Sequence, residues 1–218
     1  MATPTMSMNK VIHLALRRDL RRFSTALERF PSGGDKIRAA ALHRAWQNFD
    51  AQLTEHHQGE HEVAWPALKA IGVPETSITA FDAEHETMAA ALKSAGAAMD
   101  KLASSGAATD AQAAATAMAA LEQSTTSHLD HEEREVEPLL LSKHDDPAVK
   151  AMGKQFSRRA SLPVAGVFFA WMEDGASAEE KAALRQSVPG PVLAIIGGLF
   201  GRSYRKEVAP VWRTSGSF

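Results

Sequence analysis

Histidine recurs in this chain at a fixed step. His13 and His85 lie 72 residues apart, and the same offset carries His56 to His128, Glu60 to Glu132 and Pro66 to Pro138. Each half therefore holds one histidine and, 43 residues later, a His-x-x-x-Glu pair. Residues i and i+4 share one face of a helix. His56 with Glu60, and His128 with Glu132, can each approach a single point. Two helix pairs related by this repeat pack about a pseudo-two-fold axis and bring four imidazoles and two carboxylates together.

Apolar spacing supports helices on both sides of the repeat. His13, Leu16, Leu20, Phe23, Leu27 and Phe30 recur every three or four residues, as do Leu42, Trp46, Phe49, Leu53, His56, Glu60 and Val63. Phe81, His85, Met88, Leu92, Met99 and Leu102 form a third stripe. Met118, Leu121, Thr125, His128, Glu132, Glu135 and Leu139 form a fourth. Breaks at Pro31–Gly34, Gly72–Pro74, Ser104–Gly106 and Asp145–Pro147 set helices at about 9–30, 35–70, 75–104 and 108–143. Asp35, Ser77 and Asp110 are the expected N-caps. Arg17, Arg18, Arg21 and Arg22 fall off the first stripe and read as a solvated face. Nothing alternates as a strand would, so the expected fold is all-α. It is an up-down four-helix bundle over residues 1–145 with a C-terminal helical extension over 146–218.

Each stripe carries acids or imidazoles where a core should be dry. An unpaired buried carboxylate or imidazole costs several kcal/mol, and one metal centre compensates all of them together. No cysteine is present, which removes disulfides, thiolate metal sites and thiol nucleophiles. Imidazole with carboxylate suits iron, manganese or zinc. A net charge of −2 gives no global reason to expect nucleic acid or a membrane surface. The first ten residues lack the pattern of a signal peptide, and no apolar run approaches the ~20 residues of a bilayer span. The expected location is cytoplasmic.

At this point the chain resembles the hemerythrin-like HHE cation-binding family. The resemblance rests on His13, His56-His57-Gln58-Gly59-Glu60, His85 and His128-Leu129-Asp130-His131-Glu132, with Pro66-Ala67-Leu68 and Pro138-Leu139-Leu140 following. It covers roughly residues 9–143. It implies two non-haem iron ions, oxo- or hydroxo-bridged when oxidised, with His13, His56, His85 and His128 as terminal ligands and Glu60 and Glu132 as bridges. It implies a small ligand: peroxide, dioxygen or nitric oxide. Such a centre reduces or dismutates that ligand in a catalase- or peroxidase-like way, or carries or senses it without turnover. Oxygen-carrying members have a further histidine on the third helix. Here Ala89 stands one turn after His85, leaving a position for water, peroxide or a substitute.

Other histidines and acids stay open. His61 and His131 stand as further ligands or as surface and supporting residues. Glu135 orients a ligand histidine, relays protons, or is a solvated acid at the bundle end. His57 reads as exposed or supporting, and His43 and His144 as surface residues. His57-Gln58-Gly59-Glu60-His61 also fits an inverted zinc-protease pattern, but that reading leaves the repeat unexplained. Ferritin-like centres use Glu-x-x-His with more carboxylates, the reverse of the order here. A metal-free bundle with histidine–glutamate pairs leaves the step of His13 and His85 unexplained.

In the last third, Ala148 to Met172 reads as a helix that Pro163 kinks or breaks. Ser177 with Glu180 reads as a capping box. Val192 to Val211 reads as an irregular apolar helix with a basic end. This segment packs on the bundle, covers the site, or forms an oligomer interface.

Overall fold

Ser7 starts the first helix. Its hydroxyl accepts the amide of Lys10, while its own N–H donates to Glu137 Oε1 at 2.9 Å, tying the chain's entrance to a distant helix. The computed structural model describes residues 5–213. Among these residues every regular element is helical.

Four long segments dominate. α1 is Met8–Glu28 and α2 is Lys36–Gly59, capped by Asp35 as expected. α2 runs through a π turn, Glu60–Ala64, into α3, Trp65–Ala70. α4 is Glu75–Ser105 and α5 is Ala108–Ser142. Ser77 and Asp110 are not caps but lie inside α4 and α5. The cap positions belong to Pro74, whose fixed φ suits a helix start, and to Ala107, whose N–H donates to the Ser105 hydroxyl. α1 packs against α2 and α5, and α4 packs against the same two.

Two turns meet at one end. Gly34 and Gly106 both have positive φ, 81° and 66°, which glycine adopts without strain. The Asp35 amide donates to Gly106 O at 2.8 Å. A Cβ on Gly106 would sit 2.7 Å from Lys36 Cα. Gly106→Ala should therefore destabilise the fold by more than about 1 kcal/mol, read from denaturant unfolding. An unchanged midpoint would contradict the close approach.

The apolar interior is in two parts. A large cluster includes Leu16, Leu20, Phe23, Trp46, Phe49, Leu53, Met99 and Leu121. A smaller one gathers Trp65, Leu68, Ile71, Ile78, Phe81, Val136 and Leu140. On α5 the inner face runs through Val136 and Leu140 rather than Glu135 and Leu139, which are only half-buried.

The last third is a series of short helices. α6, Pro147–Arg159, and α7, Leu162–Glu173, replace the single expected helix. The chain breaks at Ala160 and Ser161, because Pro163 has no N–H to give the Arg159 carbonyl four residues before it and its ring would clash with that carbonyl. α8, Ala178–Ser187, carries the expected capping box of Ser177 and Glu180. α9, Gly190–Val192, a second π turn, Leu193–Gly197, and α10, Gly198–Phe200, follow. α11, Arg202–Glu207, and α12, Ala209–Arg213, complete the series.

α7 and α8 pack on α1, α11 and α12 touch α2, and α6 lies against α3 and the first π turn. This corrects the solvated reading of the arginines. Arg18 donates to Glu180 and to the carbonyls of Trp171 and Met172, and Arg22 donates to Asp19 and to Asp174 O. Arg17 pairs with Glu133 and Asp130 of α5. Only Arg21 of the four is exposed. No single helix among the described residues is long and apolar enough to cross a membrane.

Candidate metal centre

A polar layer separates the two apolar clusters. His13 comes from an early turn of α1, and His56 from the last turn of α2. Glu60 opens the π turn, His85 lies early in α4, and His128 and Glu132 lie late in α5. The helices that carry the sequence repeat thus deliver their polar residues to one level. His13, His56, Glu60, His128 and Glu132 are buried, and the His85 side chain is 12% exposed.

The donor atoms approach one another closely. His13 Nε2 lies 3.2 Å from Glu132 Oε2, and His56 Nε2 lies 3.1 Å from Glu60 Oε1. His85 Nε2 lies 3.4 Å from Glu60 Oε2 and 3.0 Å from His128 Nε2. Yet His13 Nε2, His56 Nε2, both Glu60 oxygens and Glu132 Oε2 have no hydrogen-bond partner although they are buried. Leaving such groups unpaired costs about 1–3 kcal/mol each. Lone pairs crowded together and aimed past one another are what a cation between them needs.

The donors fall into two groups, each with ligand atoms within 4.8 Å of one another. One is His13, His56, Glu60 and Glu132. The other is His57, Glu60, His85 and His128. Glu60 belongs to both. Glu132 belongs to the first, with His128 Nε2 3.9 Å away. Its second oxygen, Oε1, accepts a 3.0 Å bond from Asn9 Nδ2.

His57 is the residue that sequence reading set aside. Its Nε2 is buried without a partner, and its ring stacks on His85 with centroids 4.0 Å apart. Trp65 lies nearly parallel to His85 on another side, at 5.8 Å. The adjacent pair His56-His57 was the available signal, but residues i and i+1 do not share a helix face, so His57 reads as off the stripe.

Carboxylates hold the histidines from behind. His13 Nδ1 donates to Glu133 Oε1 at 3.1 Å, and His128 Nδ1 donates to Glu84 Oε2 at 2.8 Å. A carboxylate only accepts, so each bond fixes the proton on Nδ1 and turns the Nε2 lone pair inward. Glu84 also accepts from His131 Nδ1 at 2.8 Å, and Glu135 contacts His131 Nε2 at 3.1 Å. Within this geometry His131 and Glu135 support His128 from outside. His61 points away to Asp82 and is largely exposed. His43 and His144 pair with Asp100 and Asp145 at the surface. The supports do not follow the repeat. Glu84 and Glu133 map to Ile12 and His61.

The π turn has no counterpart in α5 either. Pro138 occupies the matching offset inside unbroken α-helix, so proline alone does not cause it. The different winding accounts for Val63 being buried while Glu135, its partner by offset, stays at the rim.

Burial holds His56, His57 and His128 below the usual imidazole range, and it pushes His85 down to about 4. Burial also lowers His13, but Glu132 and Glu133 outweigh it and raise its pKa. His13 in turn holds Glu132 low against burial. Burial, with Glu132 beside it, pushes Glu60 well up. The donor set is therefore mostly neutral imidazole, the form that ligates.

These shifts set the pH response of the metal-free chain. Four imidazoles stay neutral when folded and take protons near pH 6.5 when unfolded, so their contribution is complete above pH 6.5 and is lost as pH falls below it. Glu60 acts in the opposite sense, and so does His13 near pH 6.5, two groups against four. Stability in chelator should fall by about 1.4 kcal/mol or more per pH unit between pH 6.5 and 5. Equal stability at both ends of that range would contradict the neutral, buried imidazoles.

The family model for the hemerythrin HHE cation binding domain matches residues 9–150, well over half of the chain. No curated protein and no solved structure matches.

Proposed function

The chain belongs to the hemerythrin HHE cation-binding family, and from that premise we propose that it holds two iron ions within an up-down four-helix bundle and uses them on peroxide or dioxygen. His13, His56, His85 and His128 would supply the imidazole ligands and Glu60 and Glu132 the carboxylates, with Glu60 shared by the two donor groups. Residues 1–145 form the cation-binding domain in this reading, and residues 146–218 an extension whose described part, up to Arg213, is helical and packs on it. The observation that carries the reading is the convergence of buried, unpartnered imidazole and carboxylate atoms into two groups that share Glu60.

When bound, two irons give and take back two electrons, which is what converting two peroxides to water and dioxygen requires. The chain's own residues do the rest. Glu84 and Glu133 fix the tautomers of His128 and His13. Trp65 packs along the His85 ring and against Phe81, giving that flank of the donor layer an apolar surround. A cleft of about 300 Å³, lined by Leu53, His57, His85, Met88, Ala89 and Leu92, brings solvent to the histidines and suits a small guest.

The test is reconstitution with ferrous iron, metal analysis, and assay with hydrogen peroxide. About two irons per chain with oxygen evolution is the expected result. Failure to retain a pair of ions overturns the reading. Reversible dioxygen uptake without peroxide turnover assigns the centre to carriage instead.

A further inference from the structure

The two donor groups are unequal. Without His57, each would have two imidazoles: His13 with His56, and His85 with His128. With it, the second group has three. That group is also the one that meets solvent, because His57 and His85 line the cleft, whereas His13 and Glu132 are sealed. Ala89, one turn beyond His85 on α4, lines the same cleft and has nothing to ligate with. Ala89 and His57 line the same opening.

We propose that His57 is a fifth imidazole of the centre, reaching it from α2 at the cleft that Ala89 lines on α4, and that it takes a position on the cleft-facing metal which an outside ligand would otherwise hold. This rests on the reading of a two-iron centre. Three observations carry it. One ring nitrogen lies within 4.8 Å of the ligand atoms of Glu60, His85 and His128. Nε2 is buried and has no hydrogen-bond partner, so no protein donor or acceptor satisfies it. The ring is held in place by stacking on His85, with 21° between the planes. A histidine with a supporting role would show a hydrogen bond to a ligand residue, as His131 does through Glu84. His57 shows none.

The site therefore divides its tasks. The interior metal would be held by two imidazoles and both carboxylates, and the cleft-facing metal by three imidazoles and Glu60. Removing His57 opens a position where small anions arrive.

The experiment compares wild type, His57→Ala, His57→Gln and the double variant His57→Ala/Ala89→His, each reconstituted with ferrous iron and oxidised. Iron per chain, Mössbauer spectra and sodium azide affinity are the readouts, with far-UV circular dichroism as the fold control. Wild type should show two unequal iron environments. Both single variants should change one of the two spectral components and either bind azide at least tenfold more tightly or lose one iron while staying folded. The double variant should return azide affinity toward wild type, because it supplies the imidazole from the other wall. If His57→Ala misfolds, His57→Gln decides. Folded single variants with two irons, an unchanged spectrum and unchanged azide affinity would overturn the assignment of His57. A wild-type chain that keeps no pair of ions would instead overturn the two-iron reading beneath it.

Discussion

In a Glu60→Ala variant, affinity for both ions drops by more than a hundredfold, while the metal-free protein loses almost no stability. The first half follows from Glu60 being the one residue in both donor groups. Removing a residue that only supports a ligand costs about 10–100-fold, and Glu60 is in contact distance of His56 and His85 directly. The second half follows from the same burial read without metal. Both Glu60 oxygens lack partners there, a penalty of about 1–3 kcal/mol that alanine removes. That relief offsets the small void alanine leaves, so the variant should unfold within about 1 kcal/mol of wild type in chelator. Metal titration and denaturant melts with and without chelator separate the two. Wild-type affinity in the variant would mean that Glu60 does not join the groups.

The largest effect on stability should come from Trp171→Ala. Trp171 is fully buried, and its Nε1 donates to Asp19 Oδ2 at 2.7 Å, joining α7 to α1. Asp19 is itself buried, burial holds its pKa up, and its other oxygen accepts from Arg22. Truncating a buried tryptophan costs about 3–5 kcal/mol, and the abandoned acid adds to that. Trp171→Phe keeps most of the volume and loses only the donor, so about 1–3 kcal/mol is expected. Neither change touches the donor layer, so folded variants should keep their metal content. A Trp171→Ala protein within about 1 kcal/mol of wild type would show that this junction does not hold the C-terminal helices.

The donor layer was readable because it obeys helical spacing within each half and a fixed offset between halves. His13, His56, Glu60, His85, His128 and Glu132 converge for that reason. His57 was not readable, since its inward position depends on how α2 faces α4, which spacing along one helix does not specify. Arg18 and Arg22 were misread for a related reason. Their partners, Glu180, Trp171 and Asp174, come from segments about 150 residues away. The π turn left no trace, because Pro66 and Pro138 share the same offset but only one follows a π turn. Glu84 and Glu133 each neighbour a donor residue of the layer in sequence, yet they support histidines on other helices.

The polar layer between the two apolar clusters also bears on cooperativity. Empty, it is a fault line: the cluster around Trp65, Phe81 and Val136 meets the larger one across groups that attract neither side, so it can come loose at a lower free energy than the rest. Filled as proposed, ions would tie α1, α2, α4 and α5 together at that level, and the chain should then melt in a single step.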